Sequence, residues 1–309
     1  MTAHVTAQVT AHGTAHVTLI RRLSARRSAV LASAVVAGLV LVALAAPLIT
    51  WIAGSSPTAF HGDAVDPALG GLPRGAAGGI STRHWLGVEP VNGRDVLARM
   101  VYGAQVSLLI SVLATALSVL LGTALGLVAG FFGGWADTVI GRTMDLLLSF
   151  PSLIFMIALI SAAPGTDRRL LLVVVLGFFG WPYVGRIVRG QAMVLARGEF
   201  VAAARVLGAS RQALLVREVL PNLTGPVLVV ATMSIPGYIA TEAGLSFLGV
   251  GVQAPTPSWG QMIATAVPWY AADPAYFLIP GVFLFVTVLA FNVLGDAVRD
   301  ALDPRSRPR

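Results

Sequence analysis

Residues 106–131 read VSLLISVLATALSVLLGTALGLVAGF and contain no charged side chain. A helix needs about 20 mostly apolar residues to cross the hydrocarbon core of a bilayer. The uncharged sequence continues in both directions, from Met100 to Ala136, so it is longer than one crossing requires. We therefore expect a membrane-spanning helix that occupies the middle of this run.

Five further uncharged runs cover residues 28–54, 146–166, 170–185, 222–241 and 274–295. Pro151 lies near the start of the third span, and Pro182 interrupts the short fourth span, which must borrow length from its flanks. The fifth span is expected to continue past Glu242. The pattern predicts an all-α polytopic membrane protein with six transmembrane helices. The first run is too long for a signal-peptide core and lacks an A-x-A-like cleavage site, so we expect a retained anchor.

The composition supports a membrane protein and excludes several classes of enzyme. Apolar residues make up 56% of the chain and charged residues 11%, against about 25% charged residues in an ordinary globular domain. Cys is absent, which excludes disulfides, thiolate metal sites and cysteine nucleophiles. All 21 basic residues are Arg, and without Lys there is no Walker A sequence and no Schiff base. Neither H-E-x-x-H nor G-x-S-x-G occurs. We expect no catalytic residue, no metal and no cofactor on this chain, so any ATP must be bound by another chain.

The placement of Arg predicts the orientation in the membrane. With the N-terminus in the cytoplasm, 15 Arg residues lie inside and 6 outside. The resulting division is a cytoplasmic tail at 1–27, the first helix at 28–54, an extracytoplasmic loop at 55–99, a permease core at 100–296 and a cytoplasmic tail at 297–309. Membrane orientation then accounts for the formal net charge of +7, and no nucleic-acid partner is expected.

Two segments outside the predicted spans have distinctive compositions. Residues 2–17 repeat a four-residue unit, TAHV-TAQV-TAHG-TAHV, that contains His4, His12 and His16. A low-complexity, disordered tail is the favoured interpretation, and a metal site on histidines four residues apart is the alternative. The 55–99 loop is rich in Gly and Pro, and it is long enough for a small lid or docking surface.

The segment 198–221, here called the 198–221 loop, predicts two helices joined by a tight turn. Helix formers from Glu199 run into Gly208, which suits the left-handed position after a helix. Ser210 can cap a second helix, which we expect to end at Pro221, with Asn222 opening the fifth span. Phe200, Val201 and Leu207 would supply apolar contact to a partner, and flanking Arg residues would pair with its carboxylates. The residues alone leave open an amphipathic segment on anionic lipid, and a DNA-binding helix-turn-helix is disfavoured because spans tether both ends.

This loop, EFVAAARVLGAS...VLPN, resembles the EAA loop of the inner-membrane permeases of binding-protein-dependent ABC importers. Ala202, Ala203 and Ala204 occupy the triplet, Gly208 the glycine, and Leu220-Pro221 the final pair. Ala202 replaces the usual Glu, and Glu218 the usual Ile. Three further segments, 84–108, 242–262 and 291–305, are similar to the second permease subunit of the dipeptide, oligopeptide and nickel subfamily. The resemblance covers about residues 28–305.

The resemblance implies a heteromeric pump in the bacterial inner membrane. Its other parts would be a second permease subunit, two ATPase subunits that bind ATP and Mg, and an extracytoplasmic solute-binding protein. The cargo implied is a di- or oligopeptide, and the alternative cargo is nickel or another small solute. The less favoured alternative functions are a proton-coupled secondary transporter and a membrane enzyme. The residues expected to couple the loop to an ATPase are Glu199, Ala202, Ala203, Ala204, Arg205, Gly208, Ala209, Ser210, Leu220 and Pro221.

Polar and small residues within the spans give further expectations. Glu242 is the one candidate for the substrate path, although we favour a place at the outer end of the fifth span, within reach of water or headgroups. Asp145 is expected to pair with Arg142 one turn earlier. A solvated end of the last span is expected from Asp296, Arg299, Asp300 and Asp303. A stripe of small residues recurs every four positions along the second span, namely Gly122, Gly126, Gly130 and Gly134. We expect this stripe to pack within this subunit rather than against the other permease.

Overall fold

The computed structural model describes residues 26–302, which fold almost entirely into helices. The first elements are α1 (Arg27–Leu44), α2 (Ala46–Ala53), α3 (Val96–Phe132), α4 (Gly134–Ser149), α5 (Ser152–Ser161) and α6 (Arg168–Ala196). They are followed by α7 (Glu199–Val206), α8 (Arg211–Ala213), a π-helical segment (Leu214–Val219), α9 (Leu220–Asn222), α10 (Thr224–Phe247), α11 (Trp259–Ala266) and α12 (Pro274–Leu302). Between α2 and α3, the strands β1 (Val65–Asp66) and β2 (Leu72–Pro73) form one short antiparallel pair.

Five of the described helices are long and apolar enough to cross a membrane: α1, α3, α6, α10 and α12. A sixth crossing is available if α4 and α5 are taken together, although they meet at an angle of 85°. The predicted all-helical membrane fold is confirmed. The third predicted span, 146–166, combines the end of α4 with α5 and is bent between them. Phe150 is extended at the break, as a residue before proline prefers, and Pro151 follows it.

The ends of several spans differ from the predicted bounds. The first span is divided at Ala45, with Pro47 in the first turn of α2. α3 begins at Val96, before the predicted start of the core at residue 100, because the Asp95 carboxylate accepts a hydrogen bond from Ala98 N at 2.8 Å and caps the helix. α6 has 29 residues and continues through Pro182, so the fourth span does extend into its flanks. The last helix continues beyond residue 295 to Leu302.

The centre of the fold is the packing of α3 against α6. A Cβ atom added to Gly122 would lie 2.6 Å from Val184 Cβ, and one added to Gly126 would lie 2.5 Å from the carbonyl oxygen of Gly185. At Gly130 the carbonyl oxygen of Arg189 would be 2.5 Å away. Glycine at these positions therefore allows the two backbones to touch. The prediction of packing within the subunit is confirmed for these three residues.

Gly134 does not belong to this stripe. An added Cβ would meet nothing within 4 Å, and the residue has a φ of +56°. Its role is local, because the chain turns at Gly133 and Gly134 from α3 into α4. The fourth glycine of the spacing was therefore wrongly assigned to the helix contact.

Three groups of buried apolar side chains surround the α3–α6 pair. One lies near the start of α3 and includes Met100, Ile239 and Trp259. A second lies midway along α3 and includes Ile110 and Leu172. The third joins the end of α3 and α6 to the 198–221 loop, through Leu127, Val184, Val188, Ala192, Val201, Leu214, Val219 and Leu223.

We predict that Gly126→Ala destabilises the folded chain by about 1–3 kcal/mol, because the new methyl group must push the α6 backbone away. Gly141→Ala is the matched control, since a Cβ there meets nothing within 4 Å and alanine favours the helix. Thermal unfolding of the purified protein in one detergent measures both changes. Equal midpoint temperatures for Gly126→Ala and the wild type would show that the helices do not touch at Gly126.

Candidate functional site

The turn of the 198–221 loop has the predicted geometry. α7 ends at Val206, and Gly208 adopts the left-handed conformation with a φ of +87°. Ala209 N donates a hydrogen bond to the Ala204 carbonyl at 3.1 Å. Ser210 Oγ accepts one from Ala213 N at 3.2 Å and thereby caps the next helical segment. The local predictions for Gly208 and Ser210 are confirmed.

The second half of the loop differs from the prediction. The chain stays helical through α8, the π-helical segment and α9, and α9 contains Pro221 in its first turn. Pro221 lies near the end of this continuous helical run, where it cannot donate a backbone hydrogen bond because proline has no N–H. Pro221 and Asn222 lie within two residues of the observed boundary, since α9 ends at Asn222 and α10 begins at Thr224.

The exposed tip of the loop is apolar. Val206 and Leu207 are 88% and 87% exposed, and Phe200 is 40% exposed. Val201 has no exposed surface, because it packs into the third core group beside Leu214, so its predicted contact with a partner was wrong. Sequence reasoning missed Val206, although an apolar residue beside a turn glycine was the available signal.

The other predicted coupling residues around this tip range from half-buried to exposed. Ala204 and Ala209 are half-buried against the third core group, and Pro221 is also half-buried. The exposed members of the set are Glu199, Ala202, Ala203, Arg205, Gly208, Ser210 and Leu220. One side of the loop is therefore fixed to α3 and α6 while the opposite side is free for a contact.

Glu242 does not lie in reach of water, as we expected from its place near the end of a span. Its side chain is 0% exposed, and Ser246 Oγ donates a hydrogen bond to Glu242 Oε1 at 2.7 Å. The buried hydroxyls of Ser107 and Ser258 lie beside the same carboxyl group. The chain that follows α10 folds back over Glu242, with Val252 N donating to Ser246 Oγ at 2.9 Å. A substrate or a proton has no open route to this carboxyl group in the described structure.

A buried network around Glu89, here called the Glu89 network, links distant parts of the chain. Glu89 Oε2 accepts a hydrogen bond from Arg94 Nε at 2.6 Å, and Glu89 Oε1 lies 2.5 Å from Arg99 Nε. Tyr276 on α12 donates its hydroxyl to Glu89 Oε1 at 3.0 Å. Arg99 also donates to Gln261 Oε1 on α11 at 2.7 Å. Sequence reasoning missed these contacts, because a loop rich in Gly and Pro gave no sign that its charges are buried.

The same region fixes the start of α3. Asp95 Oδ2 lies 2.8 Å from His84 Nδ1 and accepts a hydrogen bond from Ser55 Oγ at 3.2 Å. Asp273, which precedes α12, packs against Gly78 of the loop, and burial raises the pKa of its carboxyl group. The 55–99 loop is thus attached to α3 and to the start of α12.

Two ion pairs join α4 to α6. Asp145 pairs with Arg186 at 2.7 Å and not with Arg142 as predicted, because α4 lies alongside α6 and brings the longer-range partner closer. Asp137 pairs with Arg189. At the end of α12, Asp296, Arg299 and Asp300 are exposed as expected, with Asp300 paired to Arg26. Asp303 lies outside the described residues.

A groove of about 970 Å³ runs between α6 and α10 toward the end of α12. It is here called the α6–α10 groove. Its polar side chains are all uncharged except Arg299. The lining residues are Gly180, Tyr183, Ile187, Gln191, Asn222, Gly225, Pro226, Val229, Val230, Met233, Ser234, Gly237, Tyr238, Thr241, Arg299 and Leu302. Thr241 lines the groove, whereas Glu242, the next residue, is buried away from it. Such a groove fits an uncharged or zwitterionic solute that forms hydrogen bonds.

Metal binding finds no support within residues 26–302. No group of three or more His, Asp or Glu side chains in that range is placed to hold an ion. His4, His12 and His16, the alternative metal site, lie outside the described residues.

Comparison with known proteins identifies the family. Residues 122–308, more than half of the chain, match the family described as "Binding-protein-dependent transport system inner membrane component". The chain belongs to this family. It is therefore a multi-pass inner-membrane permease subunit of an ABC importer, as the resemblance implied. Permeases of this kind work with another permease, ATPase subunits and a binding protein.

Individual relatives agree with this assignment. The glutathione transport system permease protein GsiD of Escherichia coli O6:K15:H31 (strain 536 / UPEC) is 40% identical over 227 residues, which cover 74% of each chain. GsiD of Shigella boydii serotype 4 (strain Sb227) matches equally well. These relatives place the permease in the predicted peptide and nickel subfamily.

Solved structures show the same fold. An inward-facing conformation of the MetNI methionine ABC transporter has a TM-score of 0.52 and 19% identity, and the match covers 66% of this permease and 96% of that chain. A second crystal form has a TM-score of 0.51 and 17% identity. The likeness concerns the fold alone.

Proposed function

We propose that this permease imports di- or oligopeptides as one of two different permease subunits. The observation that carries the proposal is the 40% identity to GsiD, a glutathione permease, because glutathione is itself a short peptide. The lining of the α6–α10 groove supports a cargo of this kind. Amide, hydroxyl and phenol groups suit peptide hydrogen bonds, whereas a nickel ion prefers imidazole or thiolate ligands, and the lining contains neither.

The α6–α10 groove is the wall that this subunit contributes to the solute path. Gly225 and Gly237 keep it wide, since a Cβ added to either would meet nothing within 4 Å, and the exposed Tyr183 offers both apolar surface and a hydroxyl. The second permease would close the open side.

The 198–221 loop transmits the movement of a separate ATPase to this path. Val206 and Leu207 form an exposed apolar tip that fits a groove on a partner. The third core group attaches the opposite side of the loop to α3 and α6. A displacement of the tip would therefore move these helices without first unfolding the loop. ATP and Mg belong to the ATPase subunits, because this chain has no Lys for a Walker A sequence.

Both termini face the cytoplasm, as the Arg asymmetry indicates, and the 198–221 loop lies on the same side. Reporter fusions at Arg27, near Gly71, near Arg197 and near Gln253 are expected to read inside, outside, inside and outside. An outside signal near Arg197 would place the loop on the wrong side of the membrane for contact with an ATPase.

We predict that Gly208→Arg abolishes uptake while leaving insertion intact. The arginine strains a left-handed turn and places a large charged side chain beside the apolar tip. Gly208→Ala is the control, since it carries only the strain, which costs about 1 kcal/mol or more. A Cβ at this position meets nothing within 4 Å inside the subunit, so clashes within the chain do not explain a loss.

The measurements for Gly208→Arg are membrane abundance, co-purification with the ATPase and uptake of a labelled dipeptide. Normal abundance, weak co-purification and lost uptake are expected. Full uptake would show that the loop does not couple to an ATPase and instead rests on the lipid surface.

We predict that Gly237→Trp blocks the path. Gly237 lines the groove and has free space around it, so an indole ring fits the subunit but fills the groove. Gly38→Trp is the matched control on α1, where an added Cβ also meets nothing within 4 Å. Uptake by the reconstituted importer is measured for a labelled dipeptide and for nickel. The effect of the substitution tests the path, and the comparison of the two solutes tests the cargo. Peptide uptake unaffected by Gly237→Trp would exclude the groove, and uptake of nickel in place of peptide would favour the alternative cargo.

A further inference from the structure

A small basic pocket lies between the end of α3 and the 198–221 loop. It measures about 350 Å³ and is here called the Phe131 pocket. Its walls combine two aromatic rings, two guanidinium groups and two aliphatic side chains. The lining residues are Phe131, Phe132, Arg205, Ala209, Arg211 and Leu214.

The two arginines of this pocket are left without an internal partner. Within residues 26–302, neither the Arg205 nor the Arg211 side chain makes a hydrogen bond, ion pair or ring contact. Arg186 and Arg189 on α6, by contrast, pair with Asp145 and Asp137. Two positive groups that share one pocket repel each other, so an anion placed between them would be stabilised by both.

A hydrocarbon core that begins near Val106 would place the pocket at the depth of the lipid headgroups. If the hydrocarbon core begins near Val106, its thickness of about 30 Å takes up about 20 residues of α3. Phe131 then lies about 8 Å beyond the core, since the helix rises about 1.5 Å per residue. Headgroups occupy about the next 5–8 Å on each side of the core.

We propose that the Phe131 pocket binds the phosphate of an anionic phospholipid. Arg205 and Arg211 would hold the phosphate oxygens in the paired geometry that guanidinium groups favour. The rings of Phe131 and Phe132 would contact the glycerol and the first acyl carbons. Basic pockets beside transmembrane helices are a known setting for anionic headgroups.

Arg205 and Ala209 belong both to the pocket and to the predicted coupling residues, whereas Arg211 belongs to the pocket alone. Phe131 and Phe132 at the end of α3 line the pocket, whereas Val206 and Leu207 lie outside its lining and are exposed. A bound lipid would connect the loop to α3 through a molecule that the bilayer supplies. The inference requires only that α3 spans the membrane, so it survives if the loop does not contact an ATPase.

Native mass spectrometry of the assembled importer tests the proposal. The complex is equilibrated with phosphatidylcholine vesicles that contain increasing fractions of phosphatidylglycerol, and retained lipids are counted. The wild type is expected to retain a phosphatidylglycerol molecule that Arg211→Gln loses. Because one guanidinium group is removed, the affinity of the variant for phosphatidylglycerol is expected to be about fivefold lower. Arg211→Lys is expected to restore part of the binding, because lysine keeps the charge but not the fork of donors.

Arg142→Gln is the matched control, because Arg142 is exposed and lies outside the Phe131 pocket. The substitution removes the same positive charge as Arg211→Gln. An equal loss of lipid in Arg142→Gln would show diffuse attraction and overturn the proposal. Displacement of the lipid by millimolar inorganic phosphate would identify a site for soluble anions instead. If Arg211→Gln fails to assemble, equal retention of phosphatidylcholine and phosphatidylglycerol by the wild type would still overturn the proposal.

Discussion

At Gly122, Gly126 and Gly130, the backbones of α3 and α6 approach so closely that a single methyl group would not fit between them. The other parts of the molecule depend on this approach. It places Arg186 and Arg189 beside α4. It also builds the apolar group on which the 198–221 loop rests. The opposite side of α6 is left open for the groove with α10. A fixed helix pair thus carries the loop on one side and the candidate path on the other.

Local sequence signals predicted the elements that depend on neighbours along the chain. The uncharged runs predicted the long helices, because the length of a span follows from bilayer thickness. Gly208 and Ser210 predicted the turn, since backbone sterics and capping act over a few residues. Pro151 marked a position where the third span breaks, but the angle of 85° between α4 and α5 follows from tertiary packing, which no local pattern contains.

The polar side chains were predicted less well, because their partners are distant in sequence. Asp145 pairs with Arg186, 41 residues away, and a search limited to one helical turn found Arg142 instead. Glu242 was expected near water because its span ends soon after it. Burial there depends on residues that return over the helix end. Val201 and Leu207 are both apolar, and only the fold separates the buried residue from the exposed one.

The Glu89 network has a consequence for how the protein is made. Glu89, Arg94 and Arg99 emerge early from the ribosome, but Gln261 and Tyr276 are synthesised more than 150 residues later. Until α11 and α12 have both been synthesised, the charges at the start of α3 lack these two hydrogen-bonding partners. A chain that stops before α12 lacks Tyr276, so Glu89 has no hydrogen bond from that hydroxyl. Completion of the network therefore requires that α3, α11 and α12 have all been brought together.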